Sequence, residues 1–159
     1  MALAEILVDL SAVPDAELAD TGKQLYAENY LNKGRVGEYL CHDQAIVLFH
    51  EERFGHAFYD KFDRWCYRKR TDVPSRERIE RIRWIGEIIK GNVIGSECWE
   101  VLGPDGREPR NRLYIVWKEL YVVWLEPRTA GGWRFSSAYV KQGGDIRKYC
   151  RKGNKIWSH

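Results

Sequence analysis

Apolar positions in the first part of the chain recur mostly at helical intervals. Leu3, Ile6, Leu7 and Leu10 predict a short amphipathic helix over residues 2–10, and Pro14 ends it or starts the next segment. Residues 15–31 (DAELADTGKQLYAENYL) predict a partly helical stretch, closed by a turn at Asn32, Lys33 and Gly34. The run QAIVLF at 44–49 has the length of a strand. Beyond it Phe54, Ala57, Phe58, Lys61, Phe62 and Trp65 return to roughly helical spacing, with Gly55 weakening that helix.

The second half carries the stronger pattern. Residues 74–90 (PSRERIERIRWIGEIIK) predict an amphipathic helix that starts near Asp72, tolerates Pro74 in its first turn and closes at Gly91-Asn92. Ile79, Ile82, Ile85 and Ile89, with Trp84 beside them, mark its buried stripe. Arg76, Arg78, Arg81 and Arg83 spread around the remainder. Four strand-like runs follow at roughly 96–102, 112–117, 121–126 and 133–140. The links GPDG at 103–106, Lys118-Glu119 and 128–132 are short enough to require antiparallel neighbours. Residues 145–152 read as a last short helix or a strand extension. The chain has no internal repeat and no low-complexity tract.

At 159 residues the sequence fits one domain, large enough to bury a core. A hydrophobic content of 44% and an aromatic content of 13% argue against disorder. The net charge of +3 hides an asymmetry: residues 1–63 hold 5 Lys/Arg against 12 Asp/Glu, whereas 64–90 hold 9 against 4 and 91–159 hold 12 against 7. A basic body of this kind suits a polyanion partner, although a solvated surface of uneven charge reads the same way. Cys41, Cys66, Cys98 and Cys150 form no CxxC pair and no zinc-like spacing with His. No secretory h-region and no run of membrane-span length is present, so free thiols in a reducing cytoplasm are expected, with no membrane partner.

Three pieces in order carry a family resemblance: FHEERFGHAF at 49–58, RIERIRWIGEII at 78–89, and RLYIVWKELYVVWLEPR with GGWRFSSAYV across 112–140. Together, over about residues 42–152, they resemble the phage-associated members of the barnase, EndoU, colicin E5/D and RelE group of nucleases, the BECR-fold RNases. The resemblance implies an α+β fold in which N-terminal helices pack on a four-stranded antiparallel sheet. It implies metal-independent RNA cleavage by acid–base residues and phosphate-binding arginines. It leaves residues 1–40 as an added helical segment. Enzymes of this kind are commonly toxins, which implies a neutralising immunity or antitoxin protein as a partner.

Metal-free cleavage uses the RNA's own 2′-OH as nucleophile, so the protein must move protons and stabilise charge on the phosphorane. His suits either proton role, and the planar fork of Arg suits phosphate. His56 lies three residues after Arg53, so on a helical turn the two share a face. His50 opens the same segment and is the second candidate. Arg83 resembles the charged position of the family's RIxWI stretch, and Trp84 beside it is a candidate base-stacking ring. An ordinary solvated helix face with Glu80 and Glu87 near Arg83 is the plain alternative, its ion pairs worth only ~0.3–0.5 kcal/mol. Ser136, Ser137 and Tyr139 match the family's small-hydroxyl-Ala-Tyr run. Strand alternation puts Ser137 and Tyr139 on one face and Ser136 with Arg134 on the other. Arg112 and Arg134 are further phosphate candidates. The chain has no HExxH and no dense His/carboxylate cluster, so neither a metal nor another cofactor is expected. These residues predict an endoribonuclease acting by transesterification on RNA. The alternatives are a non-catalytic nucleic-acid- or protein-binding module on the same fold, and a small phage structural protein.

Overall fold

A computed structural model of the chain describes residues 2–32, 36–60, 73–103 and 105–159. The first helix, α1 (Leu18–Tyr30), follows a 3-10 turn at Asp15–Glu17 and buries Leu18, Gly22, Tyr26 and Tyr30, a stripe at successive intervals of four. Gly22 allows close packing, since a Cβ there would lie 2.7 Å from Phe54 Cζ and 2.9 Å from Ile79 Cδ1. The helix expected over 2–10 is a single 3-10 turn, Leu3–Ile6, followed by extended chain. So short a segment is marginal as a helix. Here the rest of the fold takes its backbone groups: Val8 N–H donates to Glu80 O at 2.8 Å, and Arg76 donates to Leu10 O and Val13 O.

Next comes an antiparallel hairpin of β1 (Val36–Leu40) and β2 (Ile46–His50). Gly37 is obligatory in β1, because a Cβ would fall 1.6 Å from Tyr30 O. Residues 2–32 supply core side chains, and β1 joins the main sheet. A 3-10 turn at Glu51–Arg53 leads into α2 (Phe54–Ala57). The short β3 (Tyr59–Asp60) pairs antiparallel with β4 (Val73–Pro74). The helical positions Lys61, Phe62 and Trp65 and the Asp72 helix start lie outside the described residues.

The basic helix begins at Ser75, whose Oγ accepts from Arg78 N–H at 3.2 Å, an N-cap. It is two helices, α3 (Arg76–Glu80) and α4 (Ile82–Ile89), broken at Arg81 where ψ is 8°. Ile79, Ile82, Trp84, Ile85 and Ile89 are all buried, as the periodicity requires. The meander follows as β5 (Ser96–Leu102), β6 (Arg110–Val116), β7 (Tyr121–Pro127) and β8 (Trp133–Val140), each antiparallel to the next. The chain ends with α5 (Gly143–Cys150) and β9 (Asn154–Ser158).

The four-stranded antiparallel sheet carrying N-terminal helices is not the observed fold. The sheet has seven strands in the order β1-β2-β8-β7-β6-β5-β9, and it is mixed, because β2 runs parallel to β8. A lone meander leaves two unpaired edges, and both gain neighbours here: β9 pairs with β5, and the β1–β2 hairpin attaches to β8. One face of the sheet packs on α1, α2, α3 and α4 through Tyr114, Val116, Tyr121, Val123, Leu125 and Phe135. The other face buries Leu113, Ile115, Val122 and Trp124 beneath Ile146 of α5.

Candidate active site at the open edge of β8

The attachment of β2 to β8 is brief. Val47 pairs with Trp133 and Leu48 with Arg134, and there the pairing ends. The chain then turns into the Glu51–Arg53 turn and α2. Among the described residues, the outer edge of β8 beyond Arg134 faces helical side chains instead of a strand. Arg53 reaches that edge: its Nε donates to Ser136 O at 2.6 Å and its second nitrogen to Ser136 Oγ at 3.0 Å. Ser136 Oγ in turn donates to Glu126 Oε1 at 3.0 Å. The other Glu126 oxygen accepts from Arg134, at 3.1 Å and 3.0 Å. One carboxylate thus binds Arg134 directly and reaches Arg53 through the hydroxyl of Ser136, a residue 8% exposed.

Ser136 holds this position because it is the extra residue of a β-bulge: Leu125 faces Phe135, while the next pair is Trp124 with Ser137. The bulge resets the alternation. Arg134, Ser137 and Tyr139 lie opposite Glu126, Trp124 and Val122, alternate residues of β7, and so share the α5 face. Simple alternation had put Arg134 on the opposite face from Ser137 and Tyr139. The Tyr139 hydroxyl accepts from Trp124 Nε1 at 2.9 Å and lies 3.3 Å from the Tyr149 hydroxyl. Burial, and then the neighbouring Tyr139, hold the Tyr149 hydroxyl well above the usual tyrosine pKa, so Tyr149 stays protonated.

Arg78 approaches from α3. It donates to Ala57 O at 3.1 Å, and its guanidinium carbon lies 5.1 Å from the centre of the Tyr139 ring. His56 is exposed on α2, next to the residue that holds Arg78 and one helical turn from Arg53. His50 is half-buried at the end of β2, and its carbonyl accepts from Tyr26 OH at 2.8 Å. The β8 edge therefore collects Arg53, Ser137 and Tyr139 from the sequence-derived candidates, with His56 on the adjoining helix. It draws in Ser136 of the same hydroxyl run and adds Arg78, Glu126 and Tyr149. The one local signal for these additions is the Ser-Ser doublet, and nothing in the sequence says that it forms a bulge.

The other candidates lie elsewhere, except Arg134, which shares Glu126 with this cluster. Arg83 is exposed on α4. Trp84 is 3% exposed, edge-on to Tyr121 at 5.2 Å with Arg81 over its ring at 5.1 Å, so it has no face free for a base. Arg112 is buried, with two hydrogen bonds to Asp43 at 3.0 Å and 2.6 Å, which removes it from phosphate binding. Arg134, though paired with Glu126, borders an open cleft of about 460 Å³ lined also by Arg107 and Asn111.

Among the described residues, no group of three or more His, Cys, Asp or Glu side chains could hold a metal ion, and no helix is long and apolar enough to cross a membrane. No family model, curated protein or solved structure matches the chain.

Proposed function

We propose that the chain is a metal-independent endoribonuclease whose site is the open edge of β8. The observation that carries this reading is the meeting of two guanidinium groups, Arg53 and Arg78, with the hydroxyl-bearing run Ser136–Tyr139, within one helical turn of the exposed His56. A phosphodiester lying along the edge meets cations on one side and hydroxyls on the other. In the reaction the 2′-oxygen bonds to phosphorus and the bond from phosphorus to the 5′-oxygen breaks. The products are a 2′,3′-cyclic phosphate and a free 5′-hydroxyl. His56 carries one of the two protons, taking it from the 2′-OH or giving it to the 5′-oxygen, and His50 is the second carrier. Arg53 and Arg78 stabilise the phosphorane charge. Ser137 and Tyr139 orient the phosphate and the neighbouring base.

One observation favours a non-catalytic nucleic-acid- or protein-binding module instead: Arg53 already commits two donors to Ser136. Incubation with total RNA in excess EDTA separates the two. Discrete fragments ending in 2′,3′-cyclic phosphate support the nuclease. Retention of RNA without fragments, for native protein and the His56→Ala variant alike, supports the binding module.

A further inference from the structure

The basic face of α5 lies beyond this site. Arg147 and Lys148 in α5, with Arg151 and Lys152 just after it, are all exposed. The single carboxylate of α5, Asp145, lies 3.9 Å from Lys148 and 4.0 Å from Lys141. Cations in the last turn of a helix are favoured by the helix dipole, which accounts for Arg147 and Lys148. It does not account for Arg151 and Lys152, which lie past the helix end. Between that end and the turn after β5 is a pocket of about 380 Å³, lined by Leu102, Gly103, Lys148, Tyr149, Arg151 and Lys152 with no carboxylate.

Tyr149 links this pocket to the β8 edge. Its ring packs edge-on against Trp124 at 5.1 Å, its hydroxyl lies 3.3 Å from that of Tyr139, and it also borders the basic pocket. Tyr139 and Tyr149 thus lie side by side between the two places. Exposed cations with an aromatic side chain among them are the arrangement that holds single-stranded nucleic acid without reading its sequence.

We propose that Tyr149, Lys148, Arg151 and Lys152 form a track that holds the single strand of RNA running on from the β8 edge; this rests on the nuclease reading. The track binds phosphates several nucleotides from the scissile one, so it favours long, unpaired substrates over short ones.

The test uses 2′-O-methyl oligoribonucleotides, which lack the free 2′-OH and cannot be cleaved, as a trimer and a dodecamer. Their affinities are measured across a salt series for native protein and for R151A/K152A, with circular dichroism to verify folding. The expected result is a roughly ten-fold loss for the dodecamer, a salt slope shallower by about 1.4, and a much smaller loss for the trimer. A dodecamer bound equally well by both proteins overturns the track, and so do equal losses for the two lengths. Cleavage of unmodified RNA by native protein is scored separately. A length-dependent loss without any cleavage keeps the track and removes the nuclease reading. Cleavage with no length-dependent loss does the reverse.

Discussion

Two arginine-centred clusters on the same sheet differ in everything around the guanidinium. Arg112 on β6 forms its paired bonds to Asp43 with its plane 4.7 Å from the Trp133 ring centre, and 9% of its side chain is exposed. The preceding residue of the same turn, His42, has Nδ1 2.7 Å from Tyr114 OH and its ring stacked on Trp157 at 4.4 Å. Cys41 and Cys98 are buried beside them. The hydrogen bonds from Arg112 hold the Asp43 carboxyl down to about 2, burial lowers His42, and burial pushes the Cys98 thiol up to about 12. Each of these groups is fixed in one protonation state near neutral pH. The cluster is a latch that fastens the β1–β2 turn to β6 and β9 across the sheet. At the β8 edge, by contrast, Arg53 and Arg78 hold backbone carbonyls at a half-exposed border, with hydroxyls and an exposed imidazole close by. Chemistry on a substrate needs a side of the cluster that the protein leaves open, and Arg112 has none.

His56→Ala is the sharpest test of that contrast. Cleavage is expected to fall ~10²–10⁴-fold, the usual worth of a positioned acid or base. Stability, read by urea unfolding, should stay within about 0.5 kcal/mol for so exposed a residue. Full activity in the folded variant passes the role to His50, and full activity in the variant carrying both His50→Ala and His56→Ala ends the imidazole mechanism.

Arg112→Met should act in the opposite way. Arg112 is buried but its partner Asp43 stays 38% exposed and hydrated, so the loss is mainly that of the two charged hydrogen bonds and is expected to cost about 2 kcal/mol of unfolding free energy. Cleavage per folded molecule should hold. A stable Arg112→Met protein with weakened RNA affinity would reverse the two assignments.

Arg53→Lys keeps the charge and removes the planar fork. RNA affinity is expected to fall about ten-fold, since an ammonium group cannot reproduce the paired donors that reach Ser136 and a phosphate together. Loss of the Ser136 contacts should lower stability by about 1 kcal/mol. An unchanged binding isotherm would reduce Arg53 to a support for the β8 edge.

The smallest expected effect is in the acid limb of stability. Asp43 has a folded-state pKa of about 2 against the ordinary 3.8, so its contribution is complete above about 4 and is lost as pH falls towards 2. His42 is depressed below 6.5 in the fold, so the unfolded chain takes up its proton first and stability also declines as pH drops below that value. The Asp43 side chain is 38% exposed, and screening should limit its share to about 1 kcal/mol or less. Asp43→Asn should flatten the 4-to-2 limb in unfolding measured across pH. If that limb keeps its slope, the latch is not electrostatic.

Much of the fold was legible in residue order because its information is local. The alternating apolar positions of 96–140, with turn residues between them, specify four strands whose short links make each antiparallel to the next, and all four form. The isoleucine stripe of 79–89 is likewise buried as its spacing requires. β1 (VGEYL) and β9 (NKIWS) were missed because each is short and half polar, and β9 pairs with β5, from which β6, β7, β8 and α5 separate it in the chain. Of the candidate site, the Ser137–Tyr139 pair and the Arg53–His56 spacing were readable. Arg78 was one arginine among four in its helix.

The sequence by itself determined the local elements: the meander, the isoleucine stripe of 79–89, the basic second half, and the supply of hydroxyl, guanidinium and imidazole groups. Only the tertiary structure decided which edges of the meander are covered. Pairing energy depends on partners far apart in the chain, and a polar five-residue strand forms only when an unsatisfied edge is already beside it. The same non-local choice ends the β2–β8 pairing after Arg134, sets the bulge at Ser136, and brings Arg53 and Arg78 to a strand edge that, among the described residues, no strand covers. It also buries Arg112 against Asp43, whose partner lies 69 positions away. Residue type says what an arginine can bind. Its burial and its existing partners, which depend on the whole fold, decide whether it is free to do so.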